Sequence, residues 1–284
     1  MTDRLLLDLY AALLGLVTGS YLNVVIHRLP RRVSTVLPRS RCPACGAPIR
    51  PLDNVPIVSW LALRGRCRDC GSRISARYPL VEAATAVLFV LSAERFGLTF
   101  AALAAALLCA LLLALAAIDV EHLLLPDRLT LPGIAAGVAL QPVTGWAGAG
   151  WRGVAGGLLG AALGAGVLLA AYGLWWLVRR EEGLGLGDVK MLAMIGAFLG
   201  WKGVVVSLFV GAAAGAVFGL SAMALGRAGL RSKVPFGAFL AAGALVALFA
   251  GPELVRLYLD AALGAGPAAL AVPPAVSYLA LPMP

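Results

Sequence analysis

Eight stretches of this chain, each almost free of charge, come near the length of a membrane-crossing helix and so exclude most other ways of folding it. They are Leu5 to Ile26 (interrupted by Asp8), Pro79 to Ser92, Phe96 to Ile118, Leu129 to Trp151, Gly153 to Val178, Met191 to Trp201, Gly203 to Leu225 and Val234 to Ala250. A bilayer helix needs about 20 residues, and only a helix or a closed barrel satisfies its own backbone there. The second and sixth stretches are short. Lys202 alone separates the sixth from the seventh, and one long helix there gives seven crossings instead of eight. Composition agrees: 61% hydrophobic and 13% charged residues in 284, with mean hydropathy +0.92, is more apolar surface than a soluble domain of this size buries.

Lys and Arg bias a loop toward the cytoplasm. The segment from His27 to Tyr78 holds eleven arginines against only Asp53 and Asp69, so it is expected inside. Alternation then places eighteen of the 23 basic residues on the cytoplasmic side. The net charge of +9 reads as topology and as a face suited to anionic lipid headgroups, not as a nucleic-acid patch. The net-neutral start (Asp3, Arg4) and the arginines after the first stretch favour a retained anchor over a cleaved signal, with its N-terminus outside.

The same segment carries Cys42-Pro-Ala-Cys45 and Cys67-Arg-Asp-Cys70, two C-x-x-C knuckles 21 residues apart, each followed by glycine. Four thiolates so spaced fit one tetrahedral zinc with no position left for water, so the metal is expected to be structural. Disulfides are the weaker alternative in a reducing compartment. The expected fold is an all-α polytopic membrane protein of about eight helices, with a small cytoplasmic four-cysteine zinc domain between the first and second. Its parts are a first transmembrane helix at 1–26, the zinc-binding domain at 27–78, a membrane core at 79–258 and a tail at 259–284. Cys109, in mid-span, reads as a packing residue.

Two aspartates stand where apolar spans meet polar loops: Asp119 in AAIDVEHLLLPDRLTLP and Asp188 in GLGLGDVKMLAMIGAFLG. A carboxylate at the edge of hydrocarbon is costly and suggests function. Alternation puts both at cytoplasmic helix ends, whether the later span is one helix or two. If they approach closely they share a proton, and a carboxylate beside a neutral acid suits peptide hydrolysis. Gly185 and Gly187 remove side chains beside Asp188, where a substrate backbone needs room. Glu181 and Glu182 are candidate contacts for a basic leader. The other reading is of interfacial charges that cap helices beside a flexible glycine turn. Asp127 rivals Asp119 but reads as an N-terminal cap. With His27 and His122 the only histidines, no H-E-x-x-H and no G-x-S-x-G, zincin and serine mechanisms lack support. A transporter or ion pathway using the two aspartates is the alternative function.

The strings GSYLNVVIHRLP (Gly19 to Pro30), CPACG, NVPIVSWLALRGRCRDCGSRISARYPLVE (Asn54 to Glu82), AAIDVEHLLLPDRLTLP, GLGLGDVKM and VPFGAFLAAG (Val234 to Gly243) occur in this order. Together they resemble the bacterial type IV prepilin peptidases, and the G-x-G-D of Gly185 to Asp188 is similar to that of presenilin-type intramembrane proteases. The resemblance implies an inner-membrane aspartyl peptidase with Asp119 and Asp188 as its catalytic pair. Its substrates would be prepilins of type IV pili or pseudopilins of type II secretion. It also implies N-methylation of the new terminus with S-adenosylmethionine, for which Asn23, Arg28, Glu82 and the Trp60 region are candidates; Glu82 pairing with Arg73 or Arg77 is equally open. Two departures stand out. His27 replaces a common tyrosine, and Ala238 follows Val234-Pro235-Phe236-Gly237 where a second proline is common. Neither is expected to touch an aspartate or a cysteine.

Overall fold

The computed structural model describes residues 2–148, 150–180, 185–226 and 234–263. Among these residues all regular structure is helical, and pairing outside helices is limited to two antiparallel bridges, Arg41 with Pro48 and Arg66 with Arg73. The helices are α1 (Thr2–Arg28), α2 (Val58–Ala62), α3 (Arg77–Phe96), α4 (Phe100–His122), α5 (Asp127–Thr144), α6 (Gly150–Arg179), α7 (Leu186–Ala224) and α8 (Phe236–Leu263), with a 3-10 turn at Pro51–Asn54.

Among the described residues, five helices are long and apolar enough to cross a membrane: α1, α4, α6, α7 and α8. The second and fourth apolar stretches form α3, which carries Arg77, Glu82, Glu94 and Arg95, and the 18-residue α5. Large apolar side chains such as Leu5, Leu9 and Tyr10 on α1 and Phe209, Val217 and Leu220 on α7 are more than half exposed. Faces of that kind suit hydrocarbon, not water.

The chain divides into two compact units, residues 1–133 with 232–241, and residues 134–231 with 242–284. In the first, α1, α3 and α4 pack together around Leu22, Ile26, Val81, Phe89, Ala110, Ala114 and Ile118. Glycine sets how closely α1 approaches α3. A Cβ at Gly15 would lie 2.5 Å from Ala86 Cα and one at Gly19 2.7 Å from Glu82 Cα, so the two backbones touch as small residues allow in a membrane.

In the second unit α6 packs on α7, with Gly160 against Gly196 and Gly164 against Leu192. The sixth and seventh apolar stretches are one continuous element, broken not at Lys202 but at Gly200, whose φ of 68° and ψ of −175° are non-helical. Gly200 can adopt this conformation because it lacks a side chain. The break frees the carbonyls of Ala197 and Phe198, whose partners in a straight helix are the amides four residues on. Gln141 of α5 replaces them: its buried Nε2 donates to both carbonyls, at 2.7 and 2.6 Å. Its Oε1 accepts from Ala147 N at 3.1 Å, in the turn before α6.

Candidate functional site

Both cysteine knuckles use the same local chemistry. Cys42 N donates to Ala47 O and Gly46 N to Cys42 O; Cys67 N donates to Ser72 O and Gly71 N to Cys67 O, all within 2.8–2.9 Å. Each turn closes on a glycine at positive φ, Gly46 at 72° and Gly71 at 69°. The four sulfurs all lie within 4.8 Å of one another. None is in a disulfide, and the sulfurs of Cys42 and Cys70 are 3.8 Å apart. Four sulfurs about 2.3 Å from a tetrahedral ion would be separated by about 3.8 Å, so the donor set fits one metal.

Backbone amides at Cys45 and Ala44, with the Ser72 hydroxyl, hold the Cys42 thiol down at about 6. Cys45 receives an amide from Ala47, yet the sulfurs of Cys70, Cys42 and Cys67, together with burial, push it up to about 12. One thiolate thus forms readily and the next is opposed by its neighbours. A divalent cation at the centre removes that opposition.

The segment around the knuckles has little core and is held by polar contacts. Arg68 binds Asp53 bidentately, at 2.6–3.1 Å. Ser59 Oγ donates to Leu52 O and accepts from the Val55 amide, and Trp60 Nε1 donates to Ile74 O. Glu82, on α3, accepts the Ile57 amide at 2.7 Å, just where Ile57 takes a left-handed φ of 60° to start α2. Its partner is therefore a backbone amide and not Arg73 or Arg77; Arg77 instead pairs with Glu121 of α4. Arg28 donates to Ser34 O. Asn23 donates to Gly19 O and Tyr78 O.

Asp119 lies in the last turn of α4 and is 5% exposed. Its Oδ2 accepts from Ala238 N at 3.1 Å. The expectation that the departure at residue 238 touches no aspartate is therefore wrong: alanine has an N–H that proline lacks, and that N–H bonds Asp119. Asp127 is the first residue of α5. His122 lies 3.9 Å from Glu121.

Asp188 sits in the first turn of α7, 9% exposed, with its amide bonded to Gly185 O at 3.1 Å. Gly185 is the extended N-cap residue and is exposed; Gly187 is half-buried. Each aspartate has a glycine against its Oδ2. A Cβ at Gly237 would stand 3.0 Å from that atom of Asp119, and one at Gly185 3.3 Å from that of Asp188. Glu181, Glu182 and the tail from residue 264 lie outside the described residues. Sequence reasoning missed Gly237, Ala238 and Gln141. A Pro-x-Gly turn before an apolar run and a lone glutamine inside one were the available signals.

A family model described as the Bacterial Peptidase A24 N-terminal domain matches residues 13–96, which include the four cysteines. One described as the Type IV leader peptidase family matches residues 106–220, which include both aspartates. The chain is 42% identical over 273 residues to the Prepilin leader peptidase/N-methyltransferase of Burkholderia pseudomallei, covering 87% of each protein. It is 39% identical to proteins of the same name from Aeromonas salmonicida and Pseudomonas aeruginosa, over 87% of this chain and 92% of each relative. No solved structure matches it. With relatives of this identity aligned along nearly the whole chain, and both family models matched in order, the chain belongs to the type IV leader peptidase family.

Proposed function

We propose that this protein cuts the short basic leader from prepilins or type II secretion pseudopilins at the cytoplasmic face of the inner membrane, with Asp119 and Asp188 as the catalytic pair. The observation that carries the reading is the match to relatives named for this activity, 39–42% identical over 87% of the chain. The transporter alternative gains nothing from these relatives.

In the proposed reaction one aspartate, as carboxylate, takes a proton from water while the water oxygen attacks the scissile carbonyl. The other, as neutral acid, protonates the carbonyl oxygen and later the leaving amine. The exposed Gly185 leaves room for an extended substrate backbone beside Asp188. Glu181 and Glu182 would meet the leader's positive charges. The arginine-rich 27–78 segment supports a cytoplasmic active face. A prepilin presents its basic leader there and leaves its apolar helix in the bilayer, so the bond cut is the one between them.

The four cysteines are proposed to hold zinc. Such a closed sulfur site is structural: it gathers the 27–78 domain and performs no step of cleavage. The methylation step, with S-adenosylmethionine as donor, is supported by the second half of the relatives' name. Arg28, Glu82 and Trp60 already serve as local fastenings of the cysteine-bearing segment, so none is assigned to the donor.

The test incubates the purified protein with a prepilin, with and without S-adenosylmethionine. Expected are a released leader ending at the boundary with the apolar helix and, with the donor only, a mature terminus heavier by one methyl group. A leader ending inside the apolar helix would refute the interfacial active site.

A further inference from the structure

Arg77 and Glu121 each stand at a helix end that disfavours their charge. Arg77 is the first residue of α3, where unpaired N–H groups make the end positive, and Glu121 lies in the last turn of α4, where unpaired carbonyls make it negative. They are nevertheless paired: Arg77 Nη1 donates to both carboxylate oxygens of Glu121. Their side chains are 22% and 34% exposed, so water screens the pair only in part. Neither helix gains from holding its charge there. The pairing offsets both costs, and what it achieves is a fixed separation of two helix ends.

Each end continues into a part already described. Before Arg77 the chain returns from the second cysteine knuckle and is fastened along the way. Cys67 N donates to Ser72 O, Ile74 N to Gly65 O at 2.8 Å, Trp60 Nε1 to Ile74 O and Arg77 N to Ser75 Oγ at 3.2 Å, while Arg66 and Arg73 form a bridge. On the α4 side, Glu121 follows Asp119 by two residues, in the turn that closes when Leu123 N donates to Asp119 O at 2.8 Å. Leu123 is left-handed there, with φ at 51°. A leucine keeps that conformation only where its surroundings impose it.

We propose that Arg77 and Glu121 are positioning residues that join the cysteine module to the turn carrying Asp119, so that the module holds the carboxylate in place through this one pair. This rests on the catalytic reading of Asp119. The pair acts through the turn, so its loss slows turnover and leaves prepilin docking unchanged.

The test follows cleavage of a purified prepilin. Arg77→Met and Glu121→Leu should each lower kcat about tenfold, the order expected for a lost charge-assisted pair, with KM within about twofold. Glu121→Leu should still bind one zinc per chain, since it breaks the joint and not the module. Arg77→Met/Glu121→Leu should stay near tenfold, because both changes remove one link. Cys70→Ser should also lower kcat about tenfold, and Cys70→Ser/Glu121→Leu should fall no more than about threefold further. Wild-type kcat in Glu121→Leu or in Cys70→Ser, loss of zinc from Glu121→Leu, or a hundredfold fall in either double variant would each overturn the joint. Should Arg77→Met fail to insert, Glu121→Leu and its combination with Cys70→Ser decide alone. If Asp119→Asn is inactive while these tests fail, only the joint is lost. If Asp119→Asn cleaves normally, the catalytic reading itself falls.

Discussion

Asp119 closes a helix and Asp188 opens one. The last turn of α4 presents carbonyl oxygens, so Asp119 borrows an amide from α8, 119 positions away in the chain. The first turn of α7 presents N–H groups, and a carboxylate there is favoured by its own helix. One acidic group thus takes a donor from a distant segment, and the other stands at a helix end whose dipole favours a carboxylate. Both are bordered by a glycine that keeps space beside Oδ2. Two chemically identical groups therefore sit in opposite helix fields, one at a C-terminal end and one at an N-terminal end.

The harshest way to break the comparison is to remove either carboxylate. Asp119→Asn and Asp188→Asn should each reduce leader release by at least about a thousandfold, with insertion preserved, because in the proposed mechanism each removes half of an acid–base pair. Asp127→Asn, which keeps a side-chain oxygen at the start of α5, should cost less than about tenfold. Equal activity of the three variants would show that the pair has been misassigned.

Next in size is the metal module. Cys42→Ser or Cys70→Ser should abolish binding of one zinc per chain and open the 27–78 segment to limited proteolysis, yet lower cleavage less than the aspartate variants. Freshly reduced wild-type protein without zinc on metal analysis would contradict this. A smaller effect is expected for Gln141→Leu, which leaves the carbonyls of Ala197 and Phe198 without their partner. At about 1–3 kcal/mol for each buried group left unpaired, thermal unfolding in detergent should show a clear drop. Gln141→Glu, which keeps Oε1 but not the amide donors, should not restore it.

The smallest effect concerns Asp53. Arg68 holds its carboxyl below the ordinary value of 3.8, so the pair's contribution is present above that value and is lost as pH falls through the lower folded one. The Arg68 end of the pair is half exposed, so the effect on stability is slight. Raising salt at neutral pH should weaken the segment's protease resistance by less than either cysteine change.

What could be read from the chain follows the range of the contacts involved. The cysteine cluster is local: each knuckle closes within five residues, and its spacing alone announces it. The membrane helices are legible because lipid demands long apolar runs. The break at Gly200 is harder to see than Lys202, since a charge is conspicuous in hydrocarbon while a glycine among many is not. Charge invites an arginine partner for Glu82, but its partner is the Ile57 backbone, 25 residues upstream. The bond from Ala238 to Asp119 depends on which chain ends meet, and no periodicity carries that information.

Gln141 has a consequence for how such a chain is assembled. Residues leave the ribosome in order, so the glutamine of α5 is made before the glycine at which α7 breaks. The receptor for the two freed carbonyls is thus already at hand when they arrive, and the bent helix need not hold naked peptide groups against lipid, at several kcal/mol each. Moving that glutamine to a later helix would preserve every finished bond yet leave the nascent protein, for an interval, without its cap.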